Sequence, residues 1–298
     1  GHELQNSREN WIVNNGKLKL DDSTEEKQGK IITYGNKTLV NNQNAILDIN
    51  NISIINNAIE GNSSEYCKII ENDGTLNINN VQIKANGEYI QILYNKNNGT
   101  INVRNGTILG TGCYISGILN LGNAEFNSGS ISYKNNNTYS NSGNCIYNEK
   151  DATLNITGGK FESKNNSIIN HGNMEISNAE IIANKNGIYA GVNSITKYNN
   201  GNITSEEYGI YTDGKFDVYG GTVYGKDVGI YNKSITNVYG GEIKSNSIVI
   251  RNQNNTVTIY DGKITMKSSS GQIGIANYST GEINIKNVEI NLEIESNR

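Results

Sequence analysis

The side chains that most often carry out catalysis are sparse in this chain of 298 residues and form no familiar catalytic motif. His171 is the one histidine outside the initial Gly1-His2 pair, which is typical of a cloning scar, so a Ser-His-Asp or Cys-His arrangement has a single candidate base. The three cysteines show no CxxC or other metal-binding spacing and are predicted to be buried thiols, at Cys67, Cys113 and Cys145. We therefore expect no catalytic residue, no metal site and no cofactor.

Tyrosine is the residue type that points to binding, since the chain has 18 Tyr against three Phe and one Trp. A Tyr ring offers flat apolar area and a hydroxyl at low entropic cost, which suits sugar faces and protein hot spots alike. Two sets recur at near-constant spacing and are expected to stack outward and shield the strand backbone: Tyr189, Tyr211 and Tyr231, and Tyr219, Tyr239 and Tyr260. We predict that a third set of tyrosines, in longer connecting segments, binds the ligand: Tyr66, Tyr89, Tyr114, Tyr133 and Tyr139.

The elements that must position these tyrosines follow from an internal repeat. The stretch 209–247 contains two copies that superimpose at a period of 20 residues, with Ile210 on Ile230 and Val223 on Ile243. Repeats of this length are typical of solenoids. Within each copy the apolar positions alternate, as strands require, and Gly-Gly separates them, as turns require.

The whole chain can be described as copies of this unit, each with three apolar anchors. The first anchors are Ile12, Leu39, Ile70, Leu93, Ile118, Ile146, Ile168, Ile188, Ile210, Ile230, Ile250 and Ile275. The second anchors are Leu47, Leu76, Ile101, Ala124, Leu154, Met174, Thr196, Phe216, Thr236, Val257 and Ile283. The third anchors, seven residues later, are Ile54, Ile83, Ile108, Ile131, Phe161, Ile181, Ile203, Val223, Ile243, Ile264 and Ile290. This spacing predicts an all-β fold, a right-handed parallel β-helix of about twelve coils with three short strands in each.

An Asn recurs two residues after each first anchor except at Ala190 and Thr212. On stacked coils these amides are expected to form an internal hydrogen-bonded ladder and to satisfy backbone groups at the corner. With this ladder, the chain from Trp11 to Asn297 resembles the right-handed parallel β-helix proteins of the pectin-lyase-like superfamily, of the kind found in bacterial surface adhesins. The resemblance implies an architecture and not an activity.

The first unit departs from the pattern. The segment DDSTEEKQGK follows Leu20 and puts polar Glu25 where a third anchor belongs. An open β-helix end exposes strand edges and needs a polar cover. We therefore expect residues 1–30 to be the scar plus a cap or degenerate first coil, and residues 31–298 to be the β-helix domain.

Four consecutive connections are longer than the usual seven residues between a third anchor and the next first anchor: 55–69, 84–92, 109–117 and 132–145. Insertions at one corner of a solenoid must protrude side by side, and function in repeat proteins concentrates in such insertions. We expect these segments to form a ridge of loops that presents the ligand-binding tyrosines.

Charge and hydropathy argue against several partners. The net charge is −4 and the Arg residues are scattered, so nucleic-acid binding is not expected. No stretch approaches the roughly 20 apolar residues of a membrane span. A polysaccharide lyase needs clustered carboxylates beside a basic residue, whereas Arg104 and Arg251 have no such neighbours in their predicted columns.

The sequence thus favours a non-enzymatic extracellular surface module, an adhesin or stalk. We expect a monomer that binds a glycan or host surface protein through the Tyr-bearing loop ridge. Two alternatives stay open. One is a polysaccharide lyase or glycoside hydrolase with carboxylates gathered in the long loops, and the other is a phage tail-fibre component, which would trimerise.

Overall fold

The computed structural model describes residues 2–6, 10–26, 29–57, 66–134, 143–267 and 273–293. Within them all regular secondary structure is β-strand, and no helix is long and apolar enough to cross a membrane. The strands of the described chain are β1 (Glu3–Asn6), β2 (Ile12–Asn14), β3 (Lys17–Asp21), β4 (Lys30–Thr33), β5 (Lys37–Asn41), β6 (Ile46–Asn50), β7 (Ser53–Asn56), β8 (Cys67–Asn72), β9 (Thr75–Asn95), β10 (Thr100–Asn120), β11 (Asn123–Phe126), β12 (Gly129–Lys134), β13 (Asn144–Asn148), β14 (Thr153–Ile156), β15 (Gly159–Ser163), β16 (Ile168–Asn170), β17 (Asn173–Ile176), β18 (Ala179–Ala183), β19 (Asn186–Ala190), β20 (Ile195–Tyr198), β21 (Gly201–Ser205), β22 (Tyr208–Thr212), β23 (Lys215–Val218), β24 (Thr222–Gly225), β25 (Val228–Asn232), β26 (Thr236–Val238), β27 (Glu242–Ser245), β28 (Ile248–Asn252), β29 (Thr256–Ile259), β30 (Lys263–Met266), β31 (Ile273–Asn277), β32 (Glu282–Ile285) and β33 (Glu289–Leu292).

These strands wind into a parallel β-solenoid of about 11 turns, which confirms the predicted all-β class and β-helix architecture. Each turn adds one strand to each of three faces. On the first face β2 pairs with β5 and β5 with β8, on the second β3 pairs with β6, and on the third β1 pairs with β4 and β4 with β7. The right-handed sense of the winding stays a prediction.

The predicted register is confirmed on all three faces. Ile188 lies opposite Ile210 on the first face, and Phe161 lies opposite Ile181 on the third. All four side chains are fully buried, and burial of an aliphatic or aromatic side chain contributes roughly 1.5–3 kcal/mol. Because successive turns between Ile31 and Ile264 add buried apolar residues to the faces, the core is a continuous column of apolar side chains along the axis.

The asparagine ladder is also confirmed. Asn148 Nδ2 donates to Asn170 Oδ1 at 2.8 Å and to the Asn173 carbonyl at 3.2 Å, while its Oδ1 accepts from Asn120 at 2.7 Å. Each buried amide therefore bonds both to its neighbour in the column and to the backbone of the next turn. The contact from Nδ2 to the next Oδ1 joins the consecutive members of two segments: Asn14, Asn41, Asn72, Asn95, Asn120, Asn148 and Asn170, and then Asn232, Asn252 and Asn277.

Between the two segments, hydroxyl groups take over part of the role of the missing amides. Asn170 Nδ2 donates to Thr196 Oγ1 at 2.9 Å instead of reaching a further Asn. Thr212 Oγ1 donates to the Gly214 carbonyl at 2.8 Å, so the corner stays hydrogen-bonded where the ladder is interrupted.

The N-terminal segment pairs regularly with the next turn. Leu4 lies opposite Ile31 on the third face, and Leu18 lies opposite Leu47 on the second. The third-face position that was assigned to Glu25 thus belongs to Ile31, and Glu25 lies in the connection between β3 and β4. Whether residues 1–30 act as a cap stays a prediction.

The expectation of four loops is wrong for the two central connections. Segments 84–92 and 109–117 lie inside β9 and β10, which are 21 residues each and pair with one another in parallel. The pairing covers the insertions themselves, since Lys84 lies opposite Leu109 and Ile90 opposite Ile115. Most of the other two connections, residues 58–65 and 135–142, lies outside the described residues.

The three cysteines are buried thiols, as predicted. Cys145 Sγ lies 3.2 Å from the Ile131 carbonyl oxygen and 3.3 Å from that of Glu162. Burial raises the pKa of the Cys145 thiol to about 12, so this thiol stays protonated and poorly nucleophilic at neutral pH.

Candidate functional site

Three of the five predicted binding tyrosines come together on consecutive turns. The ring centroids of Tyr89 and Tyr114 are 4.5 Å apart with an interplanar angle of 5°, so the two rings are stacked. Tyr66 meets Tyr89 edge-on, at 5.6 Å and 84°. All three are half-buried and keep part of their surface open to solvent. We call Tyr66, Tyr89 and Tyr114 the tyrosine ridge.

A repeated Gly-x-Tyr motif builds the ridge within the paired strands. Gly87 and Gly112 are opposite one another and have φ angles of 143° and 137°, while Tyr89 and Tyr114 have φ of 56° and 54°. A Cβ on Gly112 would lie 1.8 Å from the Gly87 carbonyl oxygen, so glycine is required there. The left-handed conformation costs a bulky residue roughly 1–2 kcal/mol, and such strain is concentrated at functional sites.

The Tyr89 hydroxyl is held in the neutral form at physiological pH. Partial burial raises the pKa of Tyr89, and the neighbouring Tyr114, Glu88 and Tyr66 raise it further. A neutral phenol can both donate and accept a hydrogen bond. The ridge therefore offers ring edges and hydroxyls, whereas the facing surfaces of Tyr89 and Tyr114 are already occupied by their mutual stacking.

The structure corrects the expectation for Tyr133. It lies in β12 with its side chain directed inward, and only 2% of its surface is exposed. Its hydroxyl donates to the Gly112 carbonyl at 2.9 Å, and burial raises its pKa to about 12. Tyr133 therefore supports the Gly112–Tyr114 turn from within and is a positioning residue. Tyr139 lies outside the described residues.

The second predicted outward set forms a regular stack. The rings of Tyr219, Tyr239 and Tyr260 are separated by 4.9 and 4.8 Å with interplanar angles of 11° and 7°. The Lys286 ammonium lies 4.3 Å from the Tyr260 centroid and closes one end of the stack. With the ring faces covered by neighbours, this set fits the expected structural role of shielding strand backbone.

The first predicted outward set is part of a longer aromatic strip. Tyr189 and Tyr211 stack at 5.2 Å, and Tyr231 meets Tyr211 edge-on at 5.0 Å. Sequence reasoning missed three further members of the strip, Tyr147, His171 and Tyr208. The Arg251 guanidinium follows at 4.8 Å from the Tyr231 centroid. His171 has no place in the anchor column and joins the strip only through the geometry of the corner, so spacing could not reveal it.

Grouped metal-binding side chains are not found in the part of the chain that the structure describes: no three His, Cys, Asp or Glu residues are placed to hold an ion. Comparison with protein-family models, with curated proteins and with solved structures gave no match. The arrangement of the site itself is therefore the basis for a functional proposal.

Proposed function

We propose that this chain is a non-enzymatic extracellular surface module, an adhesin or stalk of a bacterial surface protein, which binds a host protein or a glycan through the tyrosine ridge. The observation that carries the proposal is the contact of Tyr66, Tyr89 and Tyr114 on three consecutive turns, with two of them in left-handed backbone. Tyrosine is over-represented among the residues that dominate protein interfaces.

Rigidity supports the proposal. The ridge stands on paired strands and is supported from within by Tyr133, so little conformational freedom remains to be lost on binding. Pre-ordered groups of this kind raise affinity without new contacts.

The orientation of the rings favours a protein partner over a sugar at this site. A sugar packs its apolar face against an open ring face, and the stacking of Tyr89 on Tyr114 closes one face of each ring. Their exposed edges and hydroxyls suit the mixed apolar and polar surface of a protein hot spot. The described residues give no observation that favours the alternatives, a polysaccharide lyase or glycoside hydrolase and a phage tail-fibre component.

The test compares two triple variants. The ridge variant carries Tyr66→Ala, Tyr89→Ala and Tyr114→Ala, and the control carries Tyr219→Ala, Tyr239→Ala and Tyr260→Ala. Both remove three solvent-facing rings from the same scaffold. In binding to host-cell surfaces and to a glycan array, we expect the ridge variant to lose binding and the control to retain it, with both still folded by circular dichroism. Equal binding by the ridge variant and the wild type would overturn the proposal.

A further inference from the structure

A groove beside the aromatic strip has features of a second binding site, distinct from the tyrosine ridge. Its volume is about 390 Å³, which falls within the range of roughly 300–1,000 Å³ for small-molecule sites. It runs over the turns that contain β13, β16, β19 and β22, whereas the ridge residues precede or belong to β8, β9 and β10. Its aromatic lining consists of Tyr147, His171, Tyr189, Tyr208 and Tyr211.

The walls of the groove are aromatic but not closed into one continuous stack. Tyr147 packs on His171 at 5.4 Å and Tyr189 packs on Tyr211 at 5.2 Å. Between these two pairs, His171 and Tyr189 are tilted by 54° and their centroids are 5.9 Å apart. The regular stacking is interrupted at this point, which leaves apolar ring surface turned toward the groove.

A buried amide acceptor in the groove has no hydrogen-bond partner among the described residues. Asn186 is 3% exposed and lines the groove, and its Nδ2 donates to Asn166 Oδ1 at 2.7 Å. In this orientation of the two amides Asn186 Oδ1 has no hydrogen-bond partner. An unsatisfied buried acceptor is unfavourable, so a ligand that supplies a hydroxyl or N–H donor gains more there than at a hydrated surface.

We propose that this groove binds a neutral pyranose unit of a glycan, with one sugar hydroxyl donating to Asn186 Oδ1. Pyranose rings combine apolar C–H faces with hydroxyl donors, which matches aromatic walls around an amide acceptor without a hydrogen-bond partner. The lining contains no acidic side chain, and its one lysine, Lys185, is exposed rather than buried in the groove. The groove therefore lacks a buried charge that would select an ionised sugar.

Access to the acceptor requires a small movement. Asn186 Oδ1 is enclosed in the ligand-free protein. Tyr208 is the register partner of Asn186 on the next turn, lines the same groove and is only half-buried. Tyr208 is the side chain that we expect to shift when the sugar enters.

His171 provides a local reporter for the test. The chain contains two histidines, so ¹⁵N-histidine labelling gives ring-nitrogen signals from two imidazoles only, and His2→Gln assigns them. The probes are maltotetraose, cellotetraose, xylotetraose and chitotetraose, each added to about 10 mM, where a site with Kd near 1 mM is mostly occupied. We expect the His171 signals to shift with at least one probe. No shift with any of the four would overturn the proposal.

Matched variants locate the binding and separate it from stability. Tyr189→Ala and Asn186→Ala should each weaken the responding sugar about tenfold, as expected for loss of a stacking surface or of a hydrogen bond to a buried group. Tyr239→Ala and Asn202→Ala, which alter exposed residues elsewhere, should leave affinity unchanged. Unchanged sugar affinity in Asn186→Ala would contradict the assigned contact. A tryptic casein digest serves as a peptide probe, and a His171 shift with the digest but with none of the four sugars would contradict the ligand class. The ridge triple variant should still bind the sugar, so the two proposals fail independently.

Discussion

The hydroxyl of Tyr133 donates a hydrogen bond of 2.9 Å to the carbonyl oxygen of Gly112, from the interior of the solenoid to the turn that carries Tyr114. The buried Tyr133 is thereby linked to the half-buried Tyr114 through the backbone of residues 112–114. The ridge depends on this support, because the left-handed backbone of Tyr114 must be held by its surroundings.

Tyr133→Phe tests this support. The change keeps the ring and removes the hydroxyl, so the Gly112 carbonyl loses its side-chain partner. We expect the free energy of unfolding in urea to fall by about 0.5–1.5 kcal/mol. Affinity for a ridge ligand should fall too, because the turn is less well fixed. The control is Tyr94→Phe, which removes a hydroxyl from an outward-facing tyrosine on the first face. An equal loss of unfolding free energy in the two variants would contradict the role of Tyr133.

The left-handed backbone of Tyr114 gives a second prediction, from substitutions with opposite backbone preferences. Asn accepts positive φ readily, whereas β-branched Val does not. Tyr114→Val should therefore be less stable than Tyr114→Asn by about 1 kcal/mol. Tyr94 lies in β9 and does not have a positive φ. At this position Tyr94→Val should therefore be more stable than Tyr94→Asn, since Val favours strands. Urea unfolding of the four variants measures both differences, and the same order at both sites would exclude backbone strain as the cause.

The parts of the fold that could be predicted from the sequence are those whose residues recur at constant spacing. The anchor register was predictable because Ile, Leu and Val recur at fixed offsets, and a one-residue slip would expose a whole face. Ile31 was missed because a constant offset was applied across a polar insertion. The burial of Tyr133 had a signal that was not used: Ile131 and Tyr133 alternate with Ser132, as strand residues do.

The paired insertions and the groove were harder to predict. Segments 84–92 and 109–117 both contain Gly, and the first also contains Asn86, which favours loops. Their equal length and matching Gly-x-Tyr motifs allow them to pair in register, and that equality was the available signal. Only part of the groove had a sequence signal: Tyr147, Tyr189 and Tyr211 each follow a first anchor. The positions of His171 and Tyr208 depend on how the chain leaves the corners of the coil.

Asn148→Leu tests the ladder. The change removes the donor to Asn170 Oδ1 and the acceptor for Asn120, both of which stay buried. Stability should fall by about 1–3 kcal/mol, the penalty for leaving buried polar groups unpaired. Asn155→Leu, at an outward position on β14, should change it much less. Equal unfolding midpoints for Asn148→Leu and the wild type would contradict the role of the ladder.

Glu71 makes stability depend on pH. Burial raises the pKa of Glu71, but Lys96 at 2.5 Å and Lys37 at 3.2 Å outweigh it, so the pKa lies below its ordinary value of 4.5. Lys96 is the stronger partner, because it lies closer to a carboxylate oxygen of Glu71 than Lys37 does and lowers the Glu71 pKa more.

A depressed pKa in the folded state means that the stabilisation is fully present above the unfolded pKa and is lost as pH falls through the folded pKa. Thermal unfolding between neutral pH and pH values below 4.5 should therefore show a steeper acid loss for the wild type than for Glu71→Gln. If the unfolding temperatures of the two proteins fell in parallel with pH, the ion pairs of Glu71 would not be a source of the acid loss of stability.

Photo-crosslinking from the ridge tests the proposed function most directly. Tyr66 has an ordinary backbone conformation and meets Tyr89 only by its edge, so p-benzoylphenylalanine can replace it with little disturbance. The matched control carries the same residue at Tyr219, which follows β23 and lies in the exposed stack elsewhere on the solenoid. After irradiation on host-cell surfaces, we predict a covalent adduct from position 66 and none from position 219. Equal adducts from both positions, or an adduct from position 219 alone, would contradict the assignment of the tyrosine ridge as the binding surface.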